Sequence, residues 1–301
     1  VRMNFQVNTS PFAGKEGKYV TSRQIGDRLK TELIHNVALR VEPTADPDVF
    51  AVSGRGELHL GILLETMRRE GYEVAVSRPQ AIYKTIDGEL CEPWEELSVD
   101  VEEVNQGVVM EALGTRSGKL TDMQPDGKGR VRLQYRIPAR GLIGFQTDFM
   151  TMTSGSGLIY HVFHSYAPVA GAHINSRHNG ALVSMASGKS LAFALWNLQE
   201  RGRLLIRPNT QVYEGQVIGL HSRDNDLVVN PLKGKQLTNV RASGKDDSIV
   251  LEPPLRLTLE TAIELIDDDE LVEITPQSIR IRKKLLKEHQ RKSAARLRKT
   301  A

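Results

Sequence analysis

Val52-Ser53-Gly54-Arg55-Gly56-Glu57-Leu58-His59-Leu60 is the stretch on which the fold turns. It passes from an apolar strand, residues 49–52, through a glycine-bracketed arginine into a helix. That helix carries Leu60, Leu63, Leu64 and Met67 on one face and ends near Gly71, a residue suited to a left-handed C-cap. Upstream, Met3, Phe5 and Val7 alternate as a strand, and Thr21 or Ser22 can cap a helix bearing Ile25, Leu29 and Leu33. Residues 37–41 alternate again, residues 43–48 turn, and residues 72–76 close the pattern as a strand. The order βαββαβ predicts a ferredoxin-like plait, two helices on one face of a four-stranded sheet. His59, between two leucines on the helix, reads as a satisfied, partly buried side chain.

The pattern then repeats. Leu97, Val99 and Val101 predict a strand, residues 107–113 a short helix, and residues 118–123 and 131–137 a hairpin around Pro125-Asp126-Gly127. Arg140-Gly141 opens the next helix as Arg55-Gly56 opens its counterpart, and residues 158–166 form the last strand. From Pro168 the texture changes to short strands rich in Gly, Asn and Pro, with a helix candidate around Leu191, Leu195 and Leu198. The expected fold class is α+β: plaits at 1–80 and 81–166, then a β-rich domain at 167–301 with a terminal basic helix. With Val1 first and a strand starting at once, the chain reads as beginning inside a longer protein.

Composition narrows the function classes. An apolar fraction of 40% with 26% charged residues suits a packed, water-soluble protein. No run approaches the roughly 20 apolar residues of a membrane span, so a cytoplasmic protein with no membrane partner is expected. Cys91 is the single cysteine, which excludes an intrachain disulfide or a thiolate metal cluster. Net charge is +3, but residues 279–301 hold ten Lys or Arg against Glu288 alone. A mildly acidic body with a basic tail fits docking on a polyanion, although a solvated terminus carries the same signature.

None of the candidate catalytic motifs is complete. Ser187-Gly188-Lys189-Ser190 ends like a P-loop, but that loop needs glycine where Val183 stands, so these residues are expected to begin the following helix. A self-contained phosphate-handling enzyme using Lys189 and Ser190 is the alternative reading. His161, His164, His173 and His178 lack a zinc spacing, and Thr153-Ser154-Gly155-Ser156-Gly157 sits at a helix end rather than a nucleophile elbow. Asp267, Asp268, Asp269 and Glu270 read as a solvated acidic turn. What remains is surface. Gly127-Lys128-Gly129-Arg130 and Lys233-Gly234-Lys235 make basic tips where glycine lets a phosphate approach the backbone, chemistry that any exposed hairpin shares.

Several of these motifs resemble a known family. Residues 52–60 resemble the signature of the third domain of elongation factor G and its relatives. Ile137-Pro138 with Arg140-Gly141-Leu142-Ile143-Gly144-Phe145 is similar to the helix start of the fifth domain. Asn179-Gly180, Tyr213-Glu214-Gly215, Ser222-Arg223-Asp224-Asn225-Asp226-Leu227, Lys233-Gly234-Lys235-Gln236-Leu237-Thr238-Asn239, Arg241-Ala242-Ser243-Gly244 and Asp268-Asp269-Glu270-Leu271-Val272-Glu273 resemble the C-terminal domain of the BipA/TypA family of translational GTPases. The resemblance covers essentially the whole chain. It implies a ribosome-dependent GTPase whose G domain, holding GTP and Mg, and following barrel are not in this sequence, so this part has no cofactor and no catalytic residue. It further implies contacts to the large subunit, rRNA and A-site tRNA by a monomer, and roles in large-subunit assembly, stress and virulence. The candidate RNA-binding residues are Lys128, Arg130, Arg223, Lys233, Lys235, Arg241, Lys245, Arg282, Lys283 and Lys284.

Overall fold

The computed structural model describes residues 1–169, 177, 179–234 and 250–300. The first plait forms as the periodicity dictates: β1 (Arg2–Gln6), α1 (Ser22–His35), β2 (Arg40–Pro43), β3 (Val49–Ser53), α2 (Glu57–Glu70) and β4 (Val74–Val76). Its strands lie antiparallel in the order β4-β1-β3-β2. Thr21 caps α1 in a capping box with Gln24, and Gly71 ends α2 in the left-handed conformation, φ 99°. Ile25, Leu29, Leu60, Leu63, Leu64 and Met67 bury the shared helix face against Met3, Phe5 and Val52. Each such side chain contributes about 1.5–3 kcal/mol on transfer from water. His59 bonds Asn36 through Nε2, tying the end of α1 to the start of α2.

The second unit has β5 (Lys84–Ile86), β6 (Glu89–Glu102), α3 (Gln106–Thr115), β7 (Lys119–Pro125), β8 (Arg130–Pro138), α4 (Ala139–Leu142), α5 (Phe145–Met152) and β9 (Leu158–Pro168). β9, β6, β8 and β7 lie side by side in that order, and β5 pairs with the start of β6. This is the same plait. Leu97, Val99, Val101, Leu133 and Ile137 form the inner face under Val109, Leu113, Phe145 and Phe149 of the helices. One local expectation changes: Arg140-Gly141 lies in a single separate turn, and the longer helix starts after Gly144, whose φ of 71° breaks the run. A Cβ at Gly141 would stand 2.5 Å from the Arg116 carbonyl oxygen, so close backbone approach requires the glycine.

The remaining elements are β10 (Ala181–Ser184), β11 (Gly188–Lys189), α6 (Ala192–Gln199), β12 (Gly202–Leu204), β13 (Gln211–Val212), β14 (Gln216–His221), β15 (Leu227–Val229), α7 (Leu259–Leu265), β16 (Glu270–Ile274), β17 (Ile279–Lys283) and α8 (Glu288–Thr300). Gly188 and Lys189 pair with Val212 and Gln211 instead of beginning a helix, because the extended Leu191 precedes α6. β16 hydrogen-bonds to β4, with Val272 opposite Val76 and Ile274 opposite Val74. The first plait and the C-terminal strands therefore share one ten-stranded sheet. One apolar core runs from Phe5 and Leu64 to Val272, Ile281 and Ile263, while a smaller core under α6 joins Leu182, Leu195, Ile218 and Val229.

Candidate nucleic-acid interface

The hairpin tip between β7 and β8 is built by one carboxylate. Asp126 accepts from the backbone N–H of Lys128 at 2.7 Å and of Arg130 at 3.0 Å, with Gly127 and Gly129 at φ 70° and 94°. These amides hold the Asp126 carboxyl below its ordinary pKa. Lys128 is exposed at the tip. Arg130 turns back: its Nε donates to Asp100 Oδ1 at 2.6 Å and its Nη2 to the Asp100 and Ser156 carbonyls, each at 3.2 Å. Its role in the hairpin is to fasten the sheet.

At the C-terminal end of the large sheet, the expected basic tail divides. Residues 279–283 form β17, in register with β16, rather than a solvated terminus. Two of the residues expected to bind RNA are buried here. Lys283 is 2% exposed, and its Nζ lies 2.5 Å from Asp226, 3.0 Å from Asp269 and 3.0 Å from Glu270. Burial acts to lower its pKa, but the three carboxylates outweigh it and raise the ammonium above its usual value. Arg282 is likewise 2% exposed, donating to Thr9 Oγ1 and the Lys283 carbonyl, and burial lowers its pKa. In this fold neither cation is presented to solvent. The acidic turn is thus in large part a partner for Lys283, not a solvated cap: Glu270 is fully buried and also held by Arg177 at 2.8 Å.

Lys284 stays at the surface, with Nζ 2.5 Å from the Asp268 carbonyl oxygen. Arg223 is exposed in the loop that ends at Asp226, so the Asp226–Lys283 pair brings Arg223 and Lys284 to one end of the sheet. Lys233 is exposed after β15. Lys235, Arg241 and Lys245 lie outside the described residues, as do His173 and His178. Beyond β17, α8 carries Arg291, Lys292 and Arg296, with Lys292 paired to Glu288.

The phosphate-loop alternative finds no support in the geometry. Val183 is fully buried inside β10, and Ser190, also fully buried, donates to the Arg207 carbonyl at 2.9 Å and accepts from Thr210 N–H at 3.1 Å. Its hydroxyl is committed to a turn, and the exposed Lys189 sits in a two-residue strand. Among the described residues no group of three or more His, Cys, Asp or Glu is placed to hold a metal ion, and no helix is long and apolar enough to cross a membrane. His161 and His164 instead pair with Glu95 and Glu96.

The sequence reading missed a polar junction where the two plaits and α7 meet. Glu57, at the start of α2, accepts from the Gly144 backbone N–H and faces Glu264, which Thr147 bonds from α5. Burial first, then Glu264, push the Glu57 carboxyl up to about 7. His161, bonded to Glu95, is nearby and its pKa is raised. The only sequence signal was the Arg55-Gly56-Glu57 motif itself, since its partners lie far along the chain.

Comparison with known proteins fits this architecture. Residues 89–177, spanning most of the second plait, match the elongation factor G C-terminus, which defines the class as that of elongation-factor-type plaits. Residues 179–288 match the TypA/BipA C-terminal domain. The chain belongs to the TypA/BipA family. It is 67% identical over 98% of its length to the large ribosomal subunit assembly factor BipA of Haemophilus influenzae, covering 48% of that protein. Identity is 62% to the protein of the same name from Escherichia coli K12, with 98% of this chain and 49% of that protein covered. For Buchnera aphidicola the figures are 58%, 100% and 49%. The chain thus spans about half the length of these curated relatives.

Proposed function

We propose that this chain is the ribosome-binding module of a translational GTPase that acts in assembly of the large subunit, touching rRNA and the A-site tRNA. The observation that carries the reading is the match to the TypA/BipA C-terminal domain in a chain whose relatives are named large ribosomal subunit assembly factors. Exposed Lys128, Arg223, Lys233 and Lys284 supply cations for phosphate contact, and Lys235, Arg241 and Lys245 extend the set by sequence. GTP and Mg chemistry is assigned to the part of the relatives' length that this chain does not span. A cytoplasmic monomer with roles in stress and virulence follows from the same family reading. Phosphate chemistry at Lys189 and Ser190 is disfavoured by the bonds that occupy Ser190.

The test is sedimentation of the chain with purified large ribosomal subunits over a salt series. Affinity should fall linearly on a log–log plot as salt displaces condensed counterions. The double substitution Lys233→Ala with Lys128→Ala should reduce the slope by roughly 0.7 to 0.9 for each phosphate no longer neutralised, with the melting temperature held. Absence of binding at low salt, or binding indifferent to salt, would sink the proposal.

A further inference from the structure

Among the described residues, nothing covers one face of the second plait's sheet. α3 and α5 pack on the side of Leu97, Val99 and Leu133. Side chains alternate along strands, and residues paired across strands share a face, so the register identifies what the opposite side presents. Tyr160, Ser98, Gln134 and Asp122 form one row across β9, β6, β8 and β7. Leu158, Asp100, Arg132 and Gln124 form the row on one side of it; Val162, Glu96, Arg136 and Lys119 form the row on the other. Tyr160 is 67% exposed and Leu158 68%.

Charge and chemistry select the occupant. The β7–β8 hairpin, residues 119–138, carries Lys119, Lys128, Arg130, Arg132 and Arg136 against Asp122 and Asp126, while on β6 Asp100 stands opposite Arg132 and Glu96, paired with His164 at 3.3 Å, stands opposite Arg136. Asp126 is engaged by the tip amides, and the nearer carboxylate, Asp100, is engaged by Arg130 at 2.6 Å while Arg132 stands 3.6 Å away. Arg132 and Arg136 remain exposed on either side of Gln134, whose amide nitrogen reaches Ser98 Oγ at 3.2 Å. An exposed aromatic ring on β9, with an amide and two guanidiniums two strands away on the same flat face, suits unstacked bases joined by phosphates: the ring stacks a base, the amide meets a base edge, and the cations meet the backbone. A rigid duplex offers no free base face to Tyr160.

We infer that this open sheet face binds single-stranded RNA, with Tyr160 as the stacking residue and Arg132, Arg136 and Lys119 as phosphate contacts. The inference rests on the ribosome-binding reading and names the nucleic-acid conformation that one surface takes. Strands lie about 4.8 Å apart, so the Tyr160 row spans roughly 14 Å, room for two or three nucleotides.

The experiment is fluorescence anisotropy of the full chain with a labelled 12-nucleotide oligouridine and with an RNA duplex of equal length. Subunit sedimentation is run in parallel. Tyr160→Ala should weaken oligouridine binding about ten-fold or more, and Tyr160→Phe should retain it. Arg132→Ala with Arg136→Ala should lower the salt slope by about 1.4 in total, the value for two single-strand phosphates. All variants should keep the wild-type melting temperature. Oligouridine binding unchanged by Tyr160→Ala, or a preference for duplex, would overturn the inference. So would a loss of subunit binding in Tyr160→Ala with no oligouridine binding by the wild type, which assigns the face to a protein. Failure of the wild type to sediment with subunits while it still binds oligouridine through Tyr160 would break the ribosome reading and leave this one standing.

Discussion

In the first plait the fourth strand, β4, lies between β1 and β16, every residue of β4 and β16 is buried, and the sheet continues into the C-terminal strands. In the second plait the equivalent strand, β9, pairs with β6 alone among the described residues and exposes Leu158, Tyr160, Val162 and Phe163. The strand order is the same in both. What differs is the company each sheet keeps. A plait extended at its edge becomes one layer of a larger body, whereas a plait with an open edge and an open face keeps surface for partners. Topology therefore does not decide which unit keeps free surface; burial by the rest of the described chain does.

The strongest way to break this contrast is at Lys283. Lys283→Met should cost about 3–5 kcal/mol, because Asp226, Asp269 and buried Glu270 lose their shared cation. Denaturant unfolding measures the loss. Hydrogen exchange should show faster amides in β16, β17 and β4 together while β6 and β8 of the second plait stay protected. Equal loosening of both plaits would mean that they unfold as one unit and that the shared sheet sets no boundary.

A smaller effect should separate the helix starts. Thr21 caps α1 through a capping box, whereas α3 follows a 3-10 turn and Asn105 makes no side-chain cap bond. Thr21→Ala should cost about 1 kcal/mol. Asn105→Ala should stay within about ±0.5 kcal/mol. Matching losses in thermal melts would show that the two plaits are fastened alike.

The last contrast concerns the junction between them, and it is a matter of pH. Glu57 has its folded pKa raised from 4.5 to about 7, so between those values the folded state holds more protons than the unfolded. Stability should therefore decrease as pH rises across that window, with the full penalty above pH 7. His161 acts in the same direction, since a raised imidazolium pKa gives stability that is lost as pH climbs through it. Glu57→Gln should flatten the profile and stabilise the protein at pH 8. A melting-temperature profile in the variant that still declines as steeply as wild type would remove Glu57 as the cause.

Much of the fold could be read directly from residue spacing. Leu60, Leu63, Leu64 and Met67 specify α2 because a period of 3.6 puts them on one face, and they are buried in the core. Met3 and Phe5 specify β1 in the same way, with period two. The candidate interface was less legible. Lys128 and Lys233, beside glycines in turns, are exposed, but Arg282 and Lys283, taken from the basic run, are buried. A run of basic residues records charge, while the carboxylates that neutralise it come from positions 226, 269 and 270.

The sequence by itself determined the two plaits, the absence of a P-loop at Val183 and the basic hairpin tip, because each depends on side-chain periodicity, a single residue type or a turn within a few positions. Only the tertiary structure decided that β16 joins β4, that Lys283 sits among three carboxylates, that Glu57 meets Gly144 and Glu264, and that Tyr160 shares a sheet face with Arg132 and Arg136. The physical reason is range: periodicity acts within one helix or strand, whereas burial and electrostatic pairing depend on residues that only the folded chain brings within a few ångströms.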